Sequence, residues 1–259
     1  MISPLAYVDK EARIGANVTI HPFAYIDKNV EIGDNCTIMP YASILSGTRM
    51  GTDNIIYQGA IIGATPQDFK FKGEDTLLKI GNHNTIREKV ILNRGTNTTD
   101  CTIIGDGNFL LEGVHLAHDT HLGSHCVLGN GAKTAENCII DDKAILGSEV
   151  IVKHGCRIGS WALLRDGCRA NKDVPPYIVA AHNPISYYGI NALILAKEGH
   201  LTENVIDNIA KCYRQIYQCG TSLENALRRI KDIIPLSPEI TYLVDFIEQS
   251  KKGIIGTTM

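Results

Sequence analysis

From Ile104 to Leu164 an apolar residue stands at every sixth position: Ile104, Leu110, Leu116, Leu122, Leu128, Ile140, Leu146, Val152, Ile158 and Leu164, with Thr134 the one polar exception. The same phase opens the chain at Ile2, Val8, Ile14 and Ile20, continues to Ile62, and returns at Ile80, Ile86 and Leu92. Two places earlier runs a series of small residues, among them Ala24, Ala42, Ala60, Ala132, Ala144 and Ala162, and glycine often follows the large residue, as at Gly33, Gly51, Gly105 and Gly147. A period of six fits neither a helix nor a plain alternating strand. It predicts short strands joined by tight turns, each strand directing one large and one small side chain inward. The expected first domain is a repeat solenoid over 1–170. Loops at 63–79 and 93–103 interrupt it without losing phase, so each replaces a whole number of repeats and projects from a continuous frame.

After Ala170 the period stops at Asp173-Val174-Pro175-Pro176-Tyr177, where paired prolines oppose continuation of strand or helix. Residues 171–259 are expected to form a small helical domain. Its predicted helices run from Ile190 to Lys197, from Thr202 to just before Gly220, from a capping box at Thr221-Ser222-Leu223-Glu224 to near Pro235, and from Ser237, with Pro238 in the first turn, to about Ser250. Helical spacing of Val205, Ile209, Cys212 and Ile216, and of Leu227, Ile230 and Ile233, gives these helices apolar faces for packing on each other or on the solenoid.

Composition narrows the function. A net charge of −3 over 259 residues argues against a nucleic-acid binder that works by phosphate neutralisation. No leader-like apolar stretch follows Met1, and no run approaches the roughly 18 apolar residues of a spanning helix, so a cytoplasmic protein without stable membrane insertion is expected. Cys36, Cys126, Cys138, Cys156 and Cys168 all fall in the small-residue register, where cysteine acts as a compact core residue and not as a disulfide or metal ligand.

The chemistry is expected around Val114-His115-Leu116-Ala117-His118-Asp119. Histidine is the side chain best placed to move protons near neutral pH, and an adjacent carboxylate can fix its tautomer and stabilise its charged form. His115, His118 and His121 invite a metal reading, but one repeat separates His115 from His121, which puts them on different faces of the solenoid; no metal is expected.

Several motifs occur in order on this frame: Gln67-Asp68-x-Lys70 with Gly73-Glu74, Ile86-Arg87-Glu88, Asn93-Arg94-Gly95-Thr96, His115-x-x-His118-Asp119, Asp173-Val174-Pro175-Pro176-Tyr177 and Gly189-Ile190-Asn191. Together they resemble the acyl-carrier-protein-dependent UDP-N-acetylglucosamine O-acyltransferases that open lipid A biosynthesis, over nearly the whole chain. The resemblance implies a left-handed parallel β-helix, mainly β, with a C-terminal helical domain, an exception to the usual right-handed crossover. It implies transfer of a fatty acyl group, commonly 3-hydroxylated, from acyl carrier protein to the 3-position of UDP-N-acetylglucosamine. It further implies a homotrimer with sites between subunits, no cofactor and no covalent enzyme intermediate.

Carried over residue by residue, the resemblance makes His118 the general base, Asp119 its partner, and the backbone of Glu136 the oxyanion donor. It assigns Gln67, Asp68, Lys70, His115, Asn137, Lys153, His154, Asp166, Asn191 and Lys197 to substrate binding. Stacking of coils about 18 residues long should place Glu136 and His154 above His118. The chain departs from the family's pattern in several places. Glu136 stands for a glycine, Asn137 and Lys153 for histidines, and His154 for a glutamine. Asp166 replaces a small or apolar residue at the end of the acyl groove, where a carboxylate is costly unless solvated or neutralised. Leu193, Lys197 and Glu198 replace a glutamate and paired arginines on the nucleotide side. These departures leave two alternatives open: a paralogue for another sugar nucleotide or donor, such as a coenzyme A-dependent acetyltransferase, or a noncatalytic scaffold. For the acidic carrier protein, Lys211, Arg214, Arg228, Arg229 and Lys231 offer a basic docking face.

Overall fold

The computed structural model describes residues 1–99 and 101–257. Asp100, which falls in the second expected loop, lies outside the described residues. Among the described residues the strands form three sheets of nine, eight and ten strands, in which each strand of the solenoid pairs in parallel with its counterpart on the next coil. Paired residues mostly carry matching side chains, as Ile26 does over Ile44 and Leu128 over Leu146. Beyond the first coil the large residue of each repeat is sealed inside: Ile26, Ile44, Ile56, Leu92, Leu110 and Leu128 are all fully buried. Burying a branched side chain of this size contributes about 1.5–3 kcal/mol, so the repeated stripe supplies the main driving force for coiling. The small register fills the space between them, and burial pushes the Cys126 and Cys138 thiols up to about 12.

Turns between strands share a second period. A left-handed backbone recurs at Asn17, Phe23, Asn29, Asn35, Tyr41, Gly47, Asp53 and Gly59, and again at Gly113, Asp119, His125, Gly131 and Asn137, each six residues after the last within its run. Asparagine, aspartate and glycine tolerate this conformation best, whereas an aromatic residue such as Phe23 or Trp161 is held there only by the surrounding ladder.

Both loops enter and leave in register. Contacts between successive coils span 18 residues in the regular solenoid, 30 across the first loop and 24 across the second, all multiples of six. Beyond Ala170 the structure adds a feature that the sequence pattern does not suggest. Ile178–Ala181 continues the ten-stranded sheet by pairing in parallel with Leu163–Leu164, and Ser186–Ile190 then pairs back on it antiparallel. The prolines end the six-residue period, but they favour extended backbone, so the segment still joins the sheet.

The helices that follow are α1 (Ala192–Lys197), α2 (Glu203–Tyr217), α3 (Leu223–Ile233) and α4 (Pro238–Glu248). Ile190 is a strand residue, so the first helix starts later than the spacing predicts. Thr202 caps α2, as expected for a hydroxyl at this position. For α3 the capping residue is Ser222, which accepts from Asn225 N–H; the third helical position is therefore Asn225, and the reciprocal glutamate contact predicted from Thr221 and Glu224 does not form. Buried Tyr213 and half-buried Tyr217 of α2 stack with Tyr187 and donate to Pro176 O and Ile255 O, which locks the helices onto the end of the solenoid.

Candidate functional site

His118 sits in the turn between strand His115–Leu116 of the nine-stranded sheet and strand His121–Leu122 of the eight-stranded sheet, so His115 and His121 do lie on different faces. Among the described residues no group of three His, Cys, Asp or Glu side chains could hold a metal ion. The turn rests on hydroxyls that point into the core. Thr102, Thr120 and Thr134 are buried; Thr102 Oγ1 accepts from Asp119 N–H at 2.9 Å, and Thr134 Oγ1 accepts from Ala117 N–H at 3.2 Å. Thr134, the polar break in the apolar stripe, is thus the residue that supports the backbone leading into His118.

Asp119 carries left-handed backbone (φ 57°), which turns its carboxylate back toward the ring before it. Its Oδ2 lies 2.8 Å from His118 Nδ1, and the two side chains are only 10% and 8% exposed. Burial by itself would raise the Asp119 carboxyl. The Thr96 hydroxyl, the His118 ring and the Thr96 amide oppose this and hold it below its ordinary value, hence ionised at neutral pH. An ionised carboxylate can only accept, so His118 Nδ1 donates and Nε2 of the neutral ring carries the lone pair. That is the form a base requires.

A second histidine is fixed in a similar way. Asn93 Nδ2 donates to Thr65 O at 2.8 Å, so its Oδ1 accepts, and His115 Nε2, at 2.7 Å, is the donor. Burial and then the Lys133 ammonium hold the His115 imidazole below its ordinary value, which keeps it neutral. His115 therefore braces the base of the second loop.

A cleft of about 400 Å³ opens over the His118 turn. Gln67, Asp68 and Lys70 line it from the first loop, and Glu136, Asn137 and His154 from the next two coils. The predicted stacking is present: Asn137 N–H donates to His118 O at 3.3 Å, and Gly155 N–H donates to Glu136 O at 3.1 Å. The side chains of Glu136 and His154 meet at 3.0 Å. Phe69, Thr96 and Asn97 also line the cleft and were absent from the residues singled out for the site. Thr96 was visible only as part of the Asn93-Arg94-Gly95-Thr96 motif, and exposed Phe69 had only its position in a projecting loop.

The remaining predicted residues lie elsewhere in a single chain. Lys153 is exposed beside His154 and does not line the cleft. Asp166 occupies the corner between the ten- and nine-stranded sheets, a different edge of the prism, where its Oδ1 accepts from Ser148 N–H at 2.8 Å. The same kind of bond recurs on another edge, between the eight- and ten-stranded sheets, where Asp34 accepts from Ala16 N–H and Asp142 from Ser124 N–H. Asn191 is buried at the start of α1 and donates to Trp161 O at 3.0 Å, while Lys197 is exposed at the end of that helix.

A protein named acyl-(acyl-carrier-protein)–UDP-N-acetylglucosamine O-acyltransferase from Halorhodospira halophila is 43% identical over 98% of this chain and 98% of its own. One of the same name from Thermodesulfovibrio yellowstonii is 38% identical over 98% and 96%. The chain belongs to this acyltransferase family. A crystal structure of a UDP-N-acetylglucosamine acyltransferase from Bacteroides fragilis superposes with a TM-score of 0.97 at 51% identity, covering 98% of this chain and all of the other. Residues 173–255 match the model described as UDP N-acetylglucosamine O-acyltransferase, domain 2, and residues 11–40, 29–64 and 101–136 match the bacterial transferase hexapeptide repeat. The fold is thus the left-handed parallel β-helix of these acyltransferases, followed by a small helical region. No helix among the described residues is long and apolar enough to cross a membrane.

Proposed function

We propose that the chain transfers a fatty acyl group, with or without a 3-hydroxyl, from acyl carrier protein to the 3-position of UDP-N-acetylglucosamine, with His118 as general base. The observation that carries this reading is the fixed tautomer of His118: Asp119 holds Nδ1–H, and the basic Nε2 belongs to a ring set in a cleft lined by two loops. As the sugar oxygen attacks the thioester carbonyl, its proton passes to Nε2. The Glu136 amide N–H, carried on the coil above, serves the tetrahedral oxyanion, and its backbone donor survives replacement of the usual glycine. Collapse expels the carrier-protein thiolate, which takes the proton back from the imidazolium. Asp119 stabilises that cation meanwhile. A positioned base contributes typically 10² to 10⁴ in rate.

Asp68 and Lys70, facing the cleft, are assigned to the sugar nucleotide, Lys70 as a point charge for its diphosphate. Asp166, Asn191 and Lys197 lie away from His118 in one chain, so any part they take in substrate binding comes from a neighbouring copy of a homotrimer. The reading is tested by mass analysis of products formed from UDP-N-acetylglucosamine and a panel of acyl carrier proteins, short to long, with and without a 3-hydroxyl. An O-acylated sugar nucleotide supports it; no product with any donor excludes it.

A further inference from the structure

Asp119 is held by more than its histidine. Thr96 donates its amide N–H to Oδ1 at 3.0 Å and its hydroxyl to Oδ2 at 2.7 Å, and Oδ2 is the oxygen that also accepts from His118 Nδ1. Thr96 is fixed independently of Asp119. Just before it, Gly95 N–H donates to Leu77 O, Arg94 N–H donates to Ala64 O, and the Arg94 guanidinium reaches Ser46 O at 3.1 Å and Thr76 Oγ1 at 3.2 Å. Asn93 holds both Thr65 and His115. The loop therefore presents two donors at a place set by the solenoid, and Asp119 comes to them from 23 residues away.

We propose that Thr96 is a positioning residue for the His118–Asp119 pair, orienting the carboxylate and limiting how strongly it draws a proton onto the ring. This rests on the reading of His118 as base. A carboxylate with two donors from one residue can turn in neither direction, so the ring whose Nδ1 faces it is held in one orientation at the cleft. The shared oxygen matters as much. A hydroxyl donating to Oδ2 competes for the charge that would otherwise stabilise the imidazolium. Other titratable groups face the pair: Asp68 and Lys70 from the first loop, Glu136 and His154 from the coils above, and His121 from the adjoining strand. All of them are common to the native protein and a Thr96 variant, so a difference between the two reports on Thr96.

The test compares the pH dependence of kcat/KM for native protein, Thr96→Val and Thr96→Ser, alongside titration of the imidazole nitrogens by NMR after ¹⁵N-histidine labelling. Loss of the hydroxyl in Thr96→Val should raise the acid limb by about half to one pH unit, with roughly a 3- to 10-fold loss of kcat/KM below the limb, and should raise the His118 midpoint equally. Thr96→Ser keeps both donors and should restore the native profile. Thr96→Ala, which removes the hydroxyl without adding a methyl against the loop, gives the same readout if Thr96→Val does not fold. An unmoved limb and midpoint in folded hydroxyl-less variants would overturn the proposal, even if the rate falls. Should native protein show no transfer at all, the NMR midpoint alone decides for Thr96, separately from the proposed reaction.

Discussion

At the scale of single residues, ionisation of Asp119 joins stability to chemistry. Its carboxyl is held below the ordinary value by Thr96 and His118 in spite of burial. A group whose folded pKa is depressed contributes stability above its unfolded pKa, about 3.9 for aspartate, and loses it as pH falls through the folded value. Thermal melts of native protein and Asp119→Asn should therefore differ most near neutral pH and converge below about pH 3. A gap that stays constant from pH 7 to 3 would mean that the charge of Asp119 adds no stability. His118 and Asp119 were legible from the sequence because the pair is contiguous and chemically distinctive. Thr96 was not, because its contact depends on a loop folding back onto a turn. Asp166 and Asn191 show the opposite difficulty: each bonds the backbone of its own chain, and nothing in residue type separates an aspartate that caps an amide from one that meets a substrate.

At the scale of elements, the His118 turn departs from the rest of the solenoid in resting on core hydroxyls. An apolar residue at position 134 would restore the stripe and, by burial alone, stabilise the protein. The bond from Ala117 N–H predicts the reverse. Thr134→Val leaves a buried donor unpaired and should cost about 1–2 kcal/mol in chemical denaturation, with a larger proportional loss in transfer. A variant as stable as the native protein would show that the stripe tolerates either residue and that the hydroxyl has no part in holding the turn. The coils were readable because a strict period is repeated many times. Ile178–Ala181 and Ser186–Ile190 were not, since each occurs once, after prolines, with no repeat to average over. Helix boundaries were nearly legible from their caps, and α3 shifted by one residue because two hydroxyls, Thr221 and Ser222, competed for one position.

For the whole molecule, the proposal places the cleft between copies, with the carrier protein docking on the helical end. Arg214, Arg228 and Arg229 are exposed there, while Lys231 is paired with Glu248 at 2.6 Å. Reversing Arg214 and Arg229 to glutamate should raise the KM for acyl carrier protein several-fold at low salt with little change in kcat, and the difference should shrink as salt screens the charges. Unchanged KM would move the docking face elsewhere. The measurement that bears most directly on the account is acyl transfer from carrier protein to UDP-N-acetylglucosamine by native protein and His118→Gln, each checked for the same assembled mass. The account predicts transfer by the native protein and a loss of at least about 10² in kcat for His118→Gln at unchanged assembly. Transfer that persists undiminished in His118→Gln would contradict it, because the ring that Asp119 holds in the cleft would then have no part in the chemistry.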